Sequence, residues 1–115
     1  MRLRELAELL GCEVVSGRDR LDEVEVGACF AADLMSDVLR FSDSHTLLIT
    51  GLTSIQSVHT ADVAEMTAIL YVSNKKPGQP VLDLAESRSL PLLVTAHGMF
   101  DACGLLYRAK LRPAG

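Results

Sequence analysis

The second half of the chain alternates between two patterns of apolar residues. Three short segments are apolar at nearly every position, and they cover residues 46–50, 68–72 and 92–95. Between and after these segments, apolar residues recur at the spacing of one helix face, over 55–66, from Pro80 onward and from about residue 96. Buried strands joined by helices predict a parallel sheet that is covered on both faces.

Two of these helices carry further signals. Thr53 and Gln56 stand three residues apart where the 55–66 pattern begins, which predicts a capping box between their side chains and backbone N–H groups. In the last helix, four residues share one helical spacing and are predicted to face inward. They are Phe100, Cys103, Leu106 and Tyr107.

The first half of the chain adds two helices and two strands. Residues 3–10 carry leucines at helical spacing, and Gly11 follows at the position where a helix often ends. Residues 13–15 suit a short strand, and residues 24–30 alternate between apolar and polar, as a strand with one buried face does. A helix is predicted over 33–41, with Asp33 as its cap.

We therefore predict a single α/β domain with a largely parallel sheet and helices on both faces. The chain has 115 residues, which is the size of one ordinary domain. The predicted domain spans residues 3–111, and residues 112–115 are predicted to be a frayed tail.

Composition argues against some classes of partner and favours one cellular compartment. The 11 basic and 15 acidic residues give a net charge of −4, which argues against a nucleic-acid partner that works through phosphate contacts. No apolar run approaches the ~20 residues of a membrane span, so no membrane association is predicted. The three cysteines match neither a disulfide framework nor a metal-binding pattern. Free thiols are typical of a reducing cytosol, and we expect a cytoplasmic protein without a metal or a cofactor.

A ligand site is predicted where the parallel strands end. Ligands of open parallel sheets bind beyond the carboxyl ends of the strands, where helix N-termini offer N–H groups to an anion. Four loops reach that edge, and they contain small polar residues and lysine, which suit a phosphate or a carboxylate. The candidate residues are Asp33, Ser36, Thr50, Gly51, Thr53, Ser73, Asn74, Lys75 and Thr95.

The same residues also have purely structural interpretations. Asp33, Thr53 and Thr95 each precede a predicted helix, where a cap is expected whatever the protein does. Lys75 and Lys76 form an adjacent basic pair that either neutralises a phosphate or lies at a solvated loop tip. Both interpretations stay open at this point.

Catalytic chemistry has weaker support in the sequence. His59 and Asp62 are three residues apart on one predicted helix, and a His–Asp pair can act as a base. His97 lies near a predicted helix start. Neither has a nucleophile motif beside it, and the chain contains no GxxxxGK[ST] phosphate loop and no GxGxxG turn. We predict no catalytic residues, and a small hydrolase or phosphotransferase using His59 and Asp62, or His97, is the alternative.

Several segments resemble the DRTGG domain family, over nearly the whole chain from Leu3 to about Leu111. The middle strand is followed by Ser73-Asn74-Lys75-Lys76-Pro77-Gly78, where the family's name-giving motif has Thr-Gly-Gly. The segments that carry the resemblance are Leu3-Arg4-Glu5-Leu6-Ala7-Glu8-Leu9-Leu10-Gly11, Ala31-Ala32-Asp33-Leu34-Met35-Ser36-Asp37-Val38-Leu39, Leu47-Leu48-Ile49-Thr50-Gly51-Leu52-Thr53 and Met99-Phe100-Asp101-Ala102-Cys103-Gly104.

The resemblance implies a regulatory rather than a catalytic role. Such domains occur alone and inside phosphotransacetylases and regulatory pyrophosphatases, and they are similar to the non-catalytic amino-terminal domain of the HPr kinase/phosphorylase. They tend to associate as dimers. We therefore expect a non-catalytic regulatory or dimerisation module that forms a homodimer and senses a small anionic metabolite, such as an adenine nucleotide, at the strand-end loops.

Overall fold

The structure is a computed structural model that describes residues 1–41 and 44–114. The helices of this described part are α1 Leu3–Leu9, α2 Met35–Phe41, α3 Ile55–Val63, α4 Gln79–Ser87 and α5 Met99–Arg108, with a 3₁₀ turn at Arg18–Arg20. The strands are β1 Glu13–Ser16, β2 Ala28–Ala31, β3 Thr46–Thr50, β4 Ala68–Tyr71, β5 Leu92–Val94 and β6 Arg112–Pro113.

The strands of the described residues form one six-stranded sheet in the order β1-β5-β4-β3-β2-β6. Neighbouring strands from β5 through β6 pair in parallel, and only the edge strand β1 runs antiparallel to its neighbour. The predicted α/β fold with a largely parallel sheet is confirmed. The central strands β3, β4 and β5 are buried along their whole length, which explains why they lack polar alternation.

The pleat of the sheet divides its side chains between two cores. Leu47 and Ile49 of β3 point to one face, and Leu48 between them points to the other. Helices α1 and α5 cover the first face with Leu6 and Leu106, and helices α2, α3 and α4 cover the second. Helices on both faces leave the two ends of the strands as the open sides of the central sheet.

Helix α5 presents a different face to the core than the sequence pattern predicts. Ala102 and Leu106 are buried and Cys103 is half-buried, whereas Phe100 is 89% exposed and Tyr107 is 75% exposed. The prediction that these two aromatic residues face inward is wrong. The core beneath α5 is formed instead by Ala102 and Leu106 together with residues of the strands and of α1.

The C-terminal residues continue the sheet beyond β2. Arg112 and Pro113 pair in parallel with Ala28 and Cys29, and the Ala114 N–H donates to the Cys29 carbonyl over 3.0 Å. Ala114 is buried, so residues 112–114 are ordered against the sheet where we expected a frayed tail. Gly115 lies outside the described residues.

The turn before the 3₁₀ segment depends on a glycine. Gly17 has φ +76°, and a Cβ placed on it would lie 2.7 Å from the Pro91 Cα. Both the left-handed backbone and the close approach of the loop before β5 exclude a side chain here. The contact fixes the edge strand β1 against the start of β5.

Candidate functional site

The carboxyl ends of β2, β3, β4 and β5 open onto one side of the sheet. We call this side the strand-end edge, and it comprises the loops 31–36, 50–54, 73–78 and 95–99. The sequence placed all nine candidate residues in these four loops. The structure shows how the loops are tied to each other and which of their polar groups remain uncommitted.

Asp33 joins the loop after β2 to the loop after β3. Its Oδ1 atom accepts a hydrogen bond from the Thr50 hydroxyl over 2.7 Å and another from the Gly51 N–H over 2.8 Å. The Thr50 hydroxyl in turn accepts from the Leu52 N–H over 3.1 Å. Asp33 therefore holds the β3 loop as well as preceding a helix, a role that its position as an expected cap does not reveal.

Lys75 reaches this cluster from the loop after β4. A Cβ placed on Gly51 would lie 3.3 Å from the Lys75 Nζ and 3.8 Å from each Asp33 carboxylate oxygen. The pKa of Asp33 is lowered by the Gly51 N–H, then by the Thr50 hydroxyl, and further by the positive charge of Lys75. The missing side chain at Gly51 leaves room for the ammonium group, and Asp33 is held ionised beside it.

The loop after β4 is tied to the loop after β5. Ser73 and Asn74 both adopt left-handed backbone conformations, with φ +59° and +56°. Their N–H groups donate to the carbonyls of His97 and Thr95, each over 2.8 Å. Because these amides are committed within the chain, the backbone of this loop offers few N–H groups to a ligand.

The two lysines of this loop have different surroundings. The Lys76 ammonium lies 3.1 Å from a carboxylate oxygen of Glu13 on the edge strand β1. Lys75 turns instead toward Gly51 and Asp33. The adjacent basic pair therefore divides into one residue that anchors the loop to β1 and one residue at the strand-end edge.

Thr95 lies at the edge but turns away from it. Its side chain is fully buried, and the hydroxyl donates to the Leu10 carbonyl over 2.8 Å while accepting from the His97 N–H over 3.3 Å. The hydroxyl thus ties the loop after β5 to the end of α1.

Three candidate side chains carry hydroxyl or amide groups that are not held by hydrogen bonds to other described residues. Ser36 is exposed, Thr53 is half-buried and Asn74 is exposed. Within residues 1–41 and 44–114, none of these three side chains has a hydrogen bond to another described residue. Together with the exposed Ser73, they form the uncommitted polar groups of the strand-end edge.

Helix α3 begins at this edge without a side-chain cap. Its N-cap residue is Ser54, whose side chain makes no cap hydrogen bond, so the predicted capping box between Thr53 and Gln56 does not form. The Ser57 N–H bonds back to the Ser54 carbonyl. The N–H groups of the first turn before Ser57 therefore remain available at the positive end of the helix dipole.

The residues of the catalytic alternative are not assembled into a pair. Asp62 lies 3.4 Å from the Arg88 guanidinium, and both side chains are partly exposed. Within the described part of the chain, no ion pair or hydrogen bond joins His59 to Asp62. His97 contributes its backbone to the strand-end edge and its side chain to a cleft at α5.

The three cysteines are free and half-buried. Burial raises the pKa of Cys12 to about 11 and that of Cys29 to about 12, and it raises the pKa of Cys103 in the same direction. Thiols held protonated in this way are poor nucleophiles, which fits a packing role for the cysteines.

Two clefts of the described surface lie away from Asp33 and Lys75. A cleft of about 470 Å³ runs beside β1 and the 3₁₀ turn, lined mainly by residues 14–20 and the outer face of α4. A second, of about 340 Å³, lies at the start of α5. Asp33 and Lys75 are themselves exposed, so the strand-end edge is an open surface at these two residues.

Comparisons with known proteins identify the family and the fold. A family model described as the DRTGG domain matches residues 5–109 of the chain. No curated protein matches the chain. No helix in the described ranges is both long enough and apolar enough to cross a bilayer.

A solved structure shares the fold. It contains the CBS and DRTGG domains of the regulatory region of a Clostridium perfringens pyrophosphatase, complexed with the activator diadenosine tetraphosphate. The TM-score is 0.78 at 15% sequence identity, and the similarity covers 98% of this chain but 50% of that one. This chain therefore spans about half the length of that regulatory-region chain.

Proposed function

This chain belongs to the DRTGG domain family, and we propose that it is a non-catalytic regulatory module that binds a small phosphate-bearing ligand at the strand-end edge and acts as a homodimer. The observation that carries the ligand proposal is the position of Lys75. Its ammonium group stands over Gly51, at the same edge as the uncapped start of α3. A cation beside free N–H groups of a helix N-terminus is a suitable arrangement for a phosphate.

The roles of the remaining residues follow from their contacts. Asp33 acts as a positioning group, because its two hydrogen bonds hold the β3 loop that leads into α3. Thr53 and Asn74 supply hydroxyl and amide groups that have no other partner among the described residues. Thr53 follows Gly51 by two residues and Asn74 directly precedes Lys75, so both belong to the loops that would surround the phosphate.

The pyrophosphatase structure supports a regulatory interpretation. Its regulatory region contains a DRTGG domain beside CBS domains and is complexed with a nucleotide activator. We extend to this chain the class of ligand, an adenine nucleotide with several phosphates, as the first probe to test. The ion pair of Asp62 with Arg88 leaves the hydrolase or phosphotransferase alternative without an assembled base.

The proposal also includes self-association into a homodimer and a cellular location. Large aromatic side chains are exposed on α5, and such residues are common where a second chain packs. We propose a cytoplasmic location because all three cysteines are free thiols, which is typical of reducing compartments.

The adjacent lysines provide the matched variants for the experiment. Isothermal titration calorimetry with diadenosine tetraphosphate and with ATP compares the wild type with Lys75→Ala and Lys76→Ala, and adenosine serves as the probe without phosphate. Lys75→Ala is expected to weaken phosphate binding about fivefold, which corresponds to about 1 kcal/mol for an exposed ion pair. Lys76→Ala removes the same charge one residue away and is expected to change the affinity by less than about twofold.

Three results would contradict the proposal. One is the absence of binding for both phosphate probes, and another is equal affinity of Lys75→Ala and the wild type. The third is binding of adenosine as tightly as of ATP, since it would mean that the phosphates make no contribution.

A further inference from the structure

The outer face of α5 is exposed and carries both aromatic and charged side chains. Its exposed residues from Phe100 to Arg108 all point within an arc of about 120° centred on Gly104, since successive helix residues are rotated by about 100°. We call this surface the α5 face, and it consists of Phe100, Asp101, Gly104, Tyr107 and Arg108. Phe100 at 89% exposure and Tyr107 at 75% are the most exposed large apolar side chains of the described residues.

Gly104 lies at the centre of this face, and the described residues around it do not explain why it is a glycine. A glycine inside a helix lowers helix stability by about 1 kcal/mol relative to alanine. A Cβ added at Gly104 would meet nothing within 4 Å, so no neighbour in the described chain requires the small residue. Close approach of a second helix backbone is a common reason for glycine on a helix surface.

The chemistry of the α5 face is symmetric about the same residue. Phe100 and Arg108 are each four positions from Gly104, and Asp101 and Tyr107 are each three positions from it. If a second α5 crosses antiparallel at Gly104, a two-fold axis places Asp101 opposite Arg108 of the partner subunit, and Phe100 opposite Tyr107 of the partner subunit. The first pair suits an ion pair, and the second suits an aromatic contact.

We propose that the α5 face is the homodimer interface, with two α5 helices crossing antiparallel at Gly104. The occupant is a second copy of this chain because Asp101 lies near the start of the helix and Arg108 at its end, so an antiparallel pair brings opposite charges together. A cleft of about 340 Å³ beside Gly104, lined also by His97 and Leu105, receives the aromatic ring of the partner subunit's Tyr107.

This inference rests on the part of the proposed function that makes the chain a homodimer, and it is independent of the ligand. Sedimentation velocity of the full chain without ligand measures whether the chain is a monomer or a dimer. The wild type is expected to be a dimer at micromolar concentration. Gly104→Gln is expected to weaken the dimer by at least about tenfold in Kd, because the new side chain separates the helices at the centre of the interface.

A stability measurement and one control variant keep this result specific. Gly104→Gln replaces a poor helix former with a better one in open space, so circular dichroism should show a fold at least as stable as the wild type. Leu39→Gln removes an apolar side chain that is 52% exposed on α2 and is expected to leave the dimer unchanged. Loss of the dimer in Leu39→Gln but not in Gly104→Gln would overturn the assignment to α5.

Charge exchange tests the antiparallel geometry. Asp101→Arg and Arg108→Asp are each expected to weaken the dimer, because each places like charges near each other across the two-fold axis. The double variant, Asp101→Arg with Arg108→Asp, is expected to restore it, although both new charges oppose the helix dipole of each monomer. A monomeric wild type, or a double variant no tighter than the single ones, would overturn the proposal while leaving the Lys75 titrations unaffected.

Discussion

Replacing Asp33 is expected to release the loop that leads from β3 to α3. In Asp33→Ala, the Gly51 N–H and the buried Thr50 hydroxyl lose their shared acceptor. Hydrogen bonds to a charged group contribute roughly 1.5–3 kcal/mol each in protected positions, and the exposure of Asp33 reduces that by about half. We expect a loss of about 2 kcal/mol in the free energy of unfolding, or about 8 °C in Tm for a domain of this size.

The charge of Asp33 adds a pH dependence with a definite sign. The folded-state pKa of Asp33 lies below the value of an unfolded aspartate, about 3.9. Its contribution to stability is therefore fully present above that value, and it is lost as the pH falls through the lower folded-state pKa. Asp33→Asn keeps an acceptor oxygen but has no charge, so it is expected to lose about 1 kcal/mol at neutral pH.

Urea unfolding monitored by circular dichroism measures both effects across the pH range. The stability difference between the wild type and Asp33→Asn should be constant from neutral pH to about pH 5 and should shrink at lower pH. A difference that does not change with pH, or an Asp33→Ala variant within about 0.5 kcal/mol of the wild type, would refute the role of Asp33 as an ionised anchor.

Three further predictions follow from other contacts. In urea unfolding, Gly17→Ala should destabilise the fold by more than about 2 kcal/mol, because the new Cβ adds backbone strain and collides with Pro91. Gly11→Ala has a similar φ of +60° but open space around it, so it should lose only about 1 kcal/mol. Equal losses would contradict the close contact at Gly17. Tyr71→Phe removes the buried 2.8 Å hydrogen bond to Ser57 and should lower Tm by about 4 °C, and an unchanged Tm would argue against that bond. At pH 8, labelling by iodoacetamide followed by mass spectrometry should be much slower at Cys29 in the native chain than in urea, since burial raises its pKa to about 12; equal rates would contradict that burial.

The central strands were predictable because their environment is uniform. Residues of β3, β4 and β5 are covered on both sides, so nearly every position is apolar and the pattern contains no competing signal. The predicted fold class follows from these strands and the helices between them. The pairing of β6 was not predictable in this way, because a two-residue strand containing Pro113 depends on the open edge of β2.

The α5 face shows where hydrophobicity misleads. Phe100 and Tyr107 were predicted to face inward because they share a helical spacing with Cys103 and Leu106, whereas the spacing of Asp101, Gly104 and Arg108 marks the side of the two rings as polar. Weighing those three positions against the two rings would have given the observed orientation.

The positions of the candidate residues in the fold were predictable, but their contacts were not. The rule for parallel sheets brought Asp33, Thr50, Gly51 and Lys75 to one edge, and the structure places these residues around one another. The direction of Thr95 could not be predicted, because its acceptor is a carbonyl 85 residues away in the sequence. Contacts of this kind depend on how α1 packs against the sheet.

A nuclear magnetic resonance titration with ATP, following the backbone amides of the full chain, tests the ligand site most directly. The account predicts that the amide signals of Thr53, Ser54 and Lys75 shift progressively and saturate, while those along β1 and the 3₁₀ turn stay unchanged. Saturating shifts confined to the cleft beside β1, or no shift at the start of α3, would contradict it.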